Sequence, residues 1–313
     1  MSWLSRDQPV ADAPSAVATS ALEHVSTSGD RDGGAPLAPL ALEPVPRTLL
    51  IPLWARAAET RKHRPIVRDL RALEICERID FDFGTFRRAY GTQIGCVLRG
   101  LLYDRWVTDF LARHPGGTIV ELGAGLGTRF ERIDDGRARW IDIDLPDAIA
   151  LRRQHFEPSA RRTFLAASVL DPSWPELVRR IAPGPYYFVS EGMLMYLEPS
   201  EVRGLLVRLA DAFGPCEIAL DSIASVVVRH QHLHDTMKHM MDAPFRWGID
   251  DVREIEQWDP RLRVREVATL PDIAARFPDR VPLAHRLTGA VVRWTLPWFG
   301  RSYRLSRVVI GDR

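Results

Sequence analysis

Between residues 118 and 221 short apolar runs alternate with stretches of helical period, and few folds accept that alternation. The runs at 118–122, 138–144, 163–167, 186–190 and 216–221 are dominated by Ile, Val, Leu, Phe, Tyr, Ala and Trp. They are too short for ordinary helices and are predicted as strands. Residues 146–156, 174–181 and 199–213 space their apolar residues three and four apart, as amphipathic helices do. A strand–helix–strand succession implies right-handed βαβ units, and hence a parallel sheet with helices on both faces. The predicted fold class is α/β, a doubly wound sheet.

The flanks differ from this core. Three helices are predicted before the first strand, near 49–58, 66–79 and 92–113, and His114-Pro-Gly-Gly117 ends the third. Residues 225–258 break the alternation with Met, His and Trp. A strand near 262–268, helical residues from 271 to about 290 and a last strand near 304–310 follow. Residues 1–45 are rich in Ala, Ser, Pro, Gly, Asp and Thr, with few bulky apolar side chains. Such a segment cannot bury enough surface to offset its ordering entropy, so it is expected to be a disordered tail without a catalytic role.

Lys and Arg total 42 against 41 Asp and Glu, a net charge of +1. Nucleic-acid binders carry a concentrated basic surplus, because phosphate neutralisation supplies most of their affinity, so no nucleic-acid partner is expected. Cys76, Cys96 and Cys216 are odd in number and widely spaced, which argues against a disulfide framework or a structural zinc site. No apolar run approaches the ~18–20 residues of a membrane span. The N-terminus lacks the basic start and apolar stretch of a signal peptide. A cytoplasmic protein with no membrane partner is the expectation.

Four segments carry the chemistry. Glu121-Leu-Gly-Ala-Gly-Leu-Gly127 follows the first strand, and its glycines allow a tight turn and close approach of a ligand to the backbone. Asp144 ends the second strand, where a carboxylate can accept hydrogen bonds from both ribose hydroxyls of a nucleoside. It could instead cap the helix beginning at Pro146. Asp142, on the same face, is a weaker candidate. After the third strand, Ser168, the backbone of Val169 and Asp171 suit contact with a base ring, although Asp171-Pro172 also reads as a turn. Glu191 follows the fourth strand, with Gly192 beside it and with Met193, Met195 and Tyr196 available to line an apolar pocket.

The run Glu121–Gly127, the stretch Trp140-Ile-Asp-Ile-Asp144-Leu-Pro and the run Glu191-Gly-Met-Leu-Met-Tyr-Leu together resemble the leucine carboxyl methyltransferase family. The closer similarity is to its bacterial branch, the polyketide-synthesis O-methyltransferases of the tetracenomycin type. That likeness also takes in Thr48-Leu-Leu-Ile-Pro-Leu, residues 77–83 and Phe245-Arg-Trp-Gly-Ile-Asp-Asp251. It covers about residues 48–310.

The resemblance implies a seven-stranded mixed sheet of the class I S-adenosylmethionine methyltransferase type, with an antiparallel last strand. The pattern along the chain divides residues 46–313 into a helical cap (46–115), a cofactor-binding core (116–224), a lid (225–258) and C-terminal core strands (259–313). Gly123 and Gly125 would pass beneath the methionine and ribose of S-adenosylmethionine, and Asp144 would hold the ribose hydroxyls. Ser168 and Val169 would flank the adenine, and Glu191 would sit by the methionyl amino group. Arg99 looks like the family arginine that pairs with the methionine carboxylate, a task that suits a guanidinium because it binds carboxylates through two parallel hydrogen bonds. Glu121 completes the cofactor set, and Arg56 is taken for the family's N-terminal lysine. Those enzymes carry an aspartate where Ser168 stands, which leaves Asp171 as a substitute.

On the acceptor side the candidates are Arg246 with Trp247 (a cation and an aromatic wall), Tyr196 and His230. If the lid were one helix, His230 and His234 would share a face. No metal is expected. A small-molecule acceptor is the expected partner, bearing a carboxyl or hydroxyl on a polyketide-like or other secondary-metabolite skeleton. Two rival functions remain open. A nicotinamide-dependent dehydrogenase also uses a glycine turn and a following acid, but in its fingerprint the third glycine falls at the place of Thr128. A catalytically inactive cofactor-binding protein would keep the same fold.

Overall fold

The computed structural model describes residues 48–233 and 243–311. The N-terminal segment 1–45, expected to be a tail, and His234 and the methionines at 237, 240 and 241 lie outside the described residues.

Seven strands form one sheet: β1 (Thr118–Leu122), β2 (Arg139–Asp144), β3 (Arg162–Ala166), β4 (Tyr186–Ser190), β5 (Cys216–Ile223), β6 (Leu262–Thr269) and β7 (Tyr303–Ile310). Their spatial order is β3-β2-β1-β4-β5-β7-β6, and β7 runs antiparallel to both its neighbours. The order reverses between β1 and β4, which makes the carboxyl edge of those strands the switch point where α/β sheets bind ligands. The mixed seven-stranded sheet is the one the family resemblance implies.

Side chains alternate across the sheet, so it has two cores. Val120, Leu122, Ile141 and Ile143 face α6 (Trp174–Ile181) and α7 (Pro199–Phe213), which contribute Trp174, Val178, Val202 and Leu205. Ile119, Trp140, Tyr187 and Val189 face α3 (Tyr90–Arg113), through Val97, Trp106 and Phe110. Each such fully buried side chain contributes about 1.5–3 kcal/mol relative to exposure. Pro199 and a reciprocal Glu198–Glu201 capping box start α7 where its sequence begins to repeat.

A third core belongs to the N-terminal cap. Leu50 and Leu53 of α1 (Leu50–Thr60) and Ala72 and Ile75 of α2 (Leu70–Arg78) pack with Leu126 of the glycine turn. They also pack with Ile149 and Leu151 of α5 (Pro146–Arg153). The cap is therefore laid over the switch point. α2 begins later than its apolar pattern suggests, because Asp69 turns back to accept the Ala72 amide and caps the helix. A short helix α4 (Arg129–Ile133) follows the glycine turn.

The helical stretch expected from 271 to about 290 divides into α9 (Leu270–Arg276) and α10 (Leu283–Thr295), and a one-turn α11 (Pro297–Gly300) follows. Pro278 and Pro282 fall in the gap and exclude a continuous helix. Residues 225–233 do not form the single helix considered for the lid. α8 spans Ser225–Arg229, His230 is its C-cap and a separate 3-10 turn covers Gln231–Leu233. No helix among the described residues is long and apolar enough to cross a membrane.

Candidate active site

The glycine turn leaves β1 with its backbone folded onto β2. The amides of Gly123 and Ala124 both donate to the Ile143 carbonyl (2.9 and 3.0 Å), and Gly127 donates to Ala124 (2.8 Å). Gly123 and Gly125 have φ of +71° and +46°, values that L side chains avoid. A Cβ on Gly123 would come within 2.9 Å of the Met193 sulfur, and one on Gly125 within 2.7 Å of a Leu49 methyl. The carboxylate of Asp144 accepts the Gly125 amide (2.7 Å) and the Leu145 amide (2.7 Å). It does not cap α5, whose N-cap is Leu145 without a side-chain bond. Burial raises the Asp144 pKa, and the two amide bonds act in the opposite direction.

Asp142 belongs to the support of the turn. It is 1% exposed and accepts from Arg152 (2.9 Å) and Arg162 (2.9 Å). Arg152 in turn donates to the carbonyls of Gly125 (2.7 Å) and Gly127 (3.0 Å). Asp142, the weaker of the two candidates at this strand end, therefore does not face a ligand: two guanidiniums cover it, and it acts through Arg152 on the turn.

Above the turn lies a buried ionic cluster. Arg99 of α3 donates to Glu191 (2.9 Å), to Asp221 of β5 (3.2 Å) and to the Tyr303 hydroxyl (2.6 Å), and that hydroxyl donates to Asp221. Arg129 of α4 spans both oxygens of Glu121 (2.7 Å each), Asp104 (2.9 Å) and Glu191. Arg132 links Asp104 (2.8 Å) to Asp69 (3.0 Å), and Asp69 also receives Arg56 (2.8 Å). Burial works against the charge on Glu191, yet Arg99, Arg129 and Arg56 together hold its pKa well below the ordinary carboxylate range. Asp221 and Glu121 are shifted upward, because burial outweighs their arginines there. Gly192 makes room for this arrangement: a Cβ there would stand 3.2 Å from both terminal nitrogens of Arg99.

The structure thus brings Arg99, Glu121, Gly123, Gly125 and Glu191 to one pocket, with Arg56 on its wall. Asp144 adjoins it through the Gly125 amide. Ser168 and Val169 stand outside that pocket, beyond the end of β3. There the Ser168 hydroxyl accepts the Leu170 amide (3.2 Å), and Asp171 is exposed and accepts the Ser173 amide (2.8 Å), as a turn residue does.

Sequence reasoning missed Arg129, Asp221 and Tyr303. Arg129 opens the helix after the glycine turn, and Asp221 stands near the carboxyl end of β5, so the reasoning that found Asp144 and Glu191 reaches both. Tyr303 carried no such signal, since it reaches this edge only because β7 is antiparallel.

The acceptor-side candidates do not converge. Tyr196 packs with Phe245 (ring centroids 5.4 Å apart) in the small apolar cluster that also touches Tyr303, and burial pushes its phenol up to about 12. Arg246 is exposed and pairs with Glu198 (2.9 Å), while its backbone amide anchors to Met195 (2.7 Å). Trp247 is 2% exposed within the core, so it provides no aromatic wall for an acceptor. His230 is exposed at the end of α8, its Nδ1 paired with the Val226 carbonyl (3.0 Å).

Residues 50–210 match the family model for leucine carboxyl methyltransferase. The chain belongs to the leucine carboxyl methyltransferase family. The tetracenomycin polyketide synthesis O-methyltransferase TcmP of Streptomyces glaucescens is 30% identical to it over 269 residues, 86% of this chain and 97% of that one. The S-adenosyl-L-methionine-dependent methyltransferase dpfgK of Gibberella zeae is 30% identical over 238 residues, 70% of this chain and 80% of that one. A duf574 family protein from Streptomyces avermitilis shares the fold, with a TM-score of 0.55 at 11% identity over 83% of this chain and 96% of that one. Membership makes this leucine carboxyl methyltransferase relative a methyltransferase, and the nicotinamide-dependent dehydrogenase reading falls.

Proposed function

We propose that the protein moves the methyl group of S-adenosylmethionine to a carboxyl or hydroxyl oxygen of a small polyketide-like acceptor, with a carboxylate favoured. The observation that carries this is the joining of the glycine turn, the Asp144 carboxylate and the Arg99–Glu191 pair at one switch point.

The residues fit the cofactor. The turn offers backbone without Cβ atoms, and Asp144 is a carboxylate at the ribose position. Arg99 and Glu191 supply a cation for the methionyl carboxylate and an anion for the methionyl ammonium. The ionic cluster joins Arg56, Arg99, Arg129 and Arg132 to Asp69, Asp104, Glu121, Glu191 and Asp221, so acids exceed guanidiniums by one. Ser168 and Val169 would flank the adenine. Glu121 acts through Arg129, whose guanidinium it orients.

Bound S-adenosylmethionine supplies an electrophilic methyl on a sulfonium, displaced in line by the acceptor oxygen. The protein's work is position and exclusion of water: α1 lays Leu49 and Pro52 over the turn. A phenol acceptor would benefit from a base tuned near neutrality. Glu191 and Asp221 are committed to arginines, and the phenols of Tyr196 and Tyr303 are shifted upward by burial. That arrangement favours an oxygen that is already anionic. Arg246, Tyr196 and His230 remain the acceptor-side candidates, with Tyr196 packed against Phe245 and the other two exposed. Free thiols at Cys76, Cys96 and Cys216 fit a reducing, cytoplasmic setting.

Incubation with methyl-labelled cofactor and a panel of aromatic carboxylic acids and phenols tests the reading. Label is expected in an alkali-labile ester. Label in an alkali-stable ether would shift the reading to hydroxyl methylation, and cofactor binding with no transfer to any acceptor would contradict it.

A further inference from the structure

Helix α10 buries none of its residues. It rests through Gly289 on Pro271 of α9, where a Cβ would meet the Pro271 backbone at 3.4 Å. On its other side Leu283, Leu287, Val291 and Trp294 recur three and four apart, so they form one stripe along the helix. All four are exposed, Trp294 at 83%, and Leu296 and Trp298 beyond the helix are exposed as well. Monomeric soluble proteins rarely leave so large an apolar patch open unless something covers it.

Charge selects the occupant. From Arg280 to Ile310 the chain has six arginines and no aspartate or glutamate; Arg304 and Arg307 lie in β7 and Arg280 bonds the Ile66 carbonyl, which leaves Arg286, Arg293 and Arg301 on the helical segment. Arg293 and Arg301 stand exposed near the stripe, and Arg293 keeps a partly exposed contact with Asp272 at 3.6 Å. A second copy docked by two-fold symmetry would set this basic patch against itself, which costs affinity. A surface with fixed negative charge over an apolar interior accepts both features at once.

We propose that α10 and α11 dock the protein on an anionic lipid surface. Leu283, Leu287 and Val291 enter the acyl boundary, Trp294 lies at headgroup level, and Arg293 and Arg301 meet the phosphates. The helix lies in the interface and spans nothing, which revises the expectation that the protein has no membrane partner. β6 ends at Thr269 and β7 begins at Tyr303, opposite Ile223 at the end of β5. The docking helix is therefore carried on the same edge of the sheet as the cofactor pocket.

Cosedimentation of the full chain with vesicles tests this, comparing an equal mixture of phosphatidylglycerol and phosphatidylcholine with phosphatidylcholine alone. Binding to the anionic vesicles is expected, and it should weaken as salt rises. Leu287→Ser with Trp294→Ser should reduce it roughly tenfold or more. Arg293→Gln and Arg301→Gln should each reduce it about fivefold. These side chains are exposed, so the thermal unfolding and cofactor affinity of every variant should match the wild type. Failure to bind the anionic vesicles would overturn the proposal, and so would equal binding to both kinds. A wild-type dimer that Leu287→Ser with Trp294→Ser turns into a monomer would overturn it in favour of a second copy.

Discussion

Arg152 reaches from α5 beneath the glycine turn and donates to the Gly125 and Gly127 carbonyls, while Asp142 accepts from its other edge. Arg152→Ala would leave two carbonyls without that donor and Asp142 buried with Arg162 alone. We predict a loss of roughly 3–5 kcal/mol in urea unfolding, the range for breaking a buried ion pair. Arg152→Lys keeps the charge but cannot span carboxylate and carbonyls together. It should recover part of the stability while cofactor affinity, read by titration, stays reduced.

His155 provides a second test at this scale. Its ring is buried and neither nitrogen has a hydrogen-bond partner among the described residues, and burial, with Arg78 and Arg71 nearby, lowers its pKa from 6.5 to about 4. The unfolded chain then binds the proton first as pH falls. The stabilising contribution of the neutral ring is present above about pH 6.5 and is lost as pH drops from there towards about 4. His155→Phe should flatten the thermal stability profile across that window.

At the scale of elements, the cap and the core meet at Asp69. Its carboxylate caps α2 through the Ala72 amide and also receives Arg56, Arg132 and the Thr128 hydroxyl. Burial opposes its charge, but the two arginines, Thr128 and the amide lower its pKa overall. Asp69→Asn should remove the charge that Arg56 and Arg132 share and cost roughly 3–5 kcal/mol in denaturant unfolding. The loss should be accompanied by weaker cofactor binding, since Arg56 also holds the Leu126 carbonyl.

Element types were legible where local pattern and tertiary role agree. β1, β4, α6 and α7 fall where their periodicity places them, because each buries one face against a core that the pattern already implies. The broken stretch between 271 and 290 was less legible, because its apolar residues repeat at helical spacing across Pro278 and Pro282. The lid left its helix conditional for a related reason: helical spacing of histidines says nothing about where a short helix stops, and α8 stops at Arg229.

At the scale of the molecule, the sheet edge explains what the sequence could and could not disclose about the site. Gly123, Gly125, Asp144 and Glu191 follow strand ends and are visible to anyone who can find the strands. Arg99 lies on the helix packed against the sheet, remote in sequence from the strand ends, and only its family resemblance marked it. Tyr303 and Asp221 become partners through an antiparallel pairing between residues far apart in the chain. Long-range closure of this kind leaves no local trace. Arg246 and Trp247 show the reverse case: a recognisable stretch whose aromatic ring serves the core and whose cation faces solvent.

The central claim is that the switch-point pocket holds S-adenosylmethionine between Asp144 and the Arg99–Glu191 pair. Calorimetric titration of the wild type beside Asp144→Ala and Arg99→Ala tests it most directly, with the fold of each variant checked by circular dichroism. We predict micromolar binding that each substitution weakens roughly tenfold or more, the loss of a charged hydrogen bond. No binding by the folded wild type, or binding that neither substitution changes, would contradict the account.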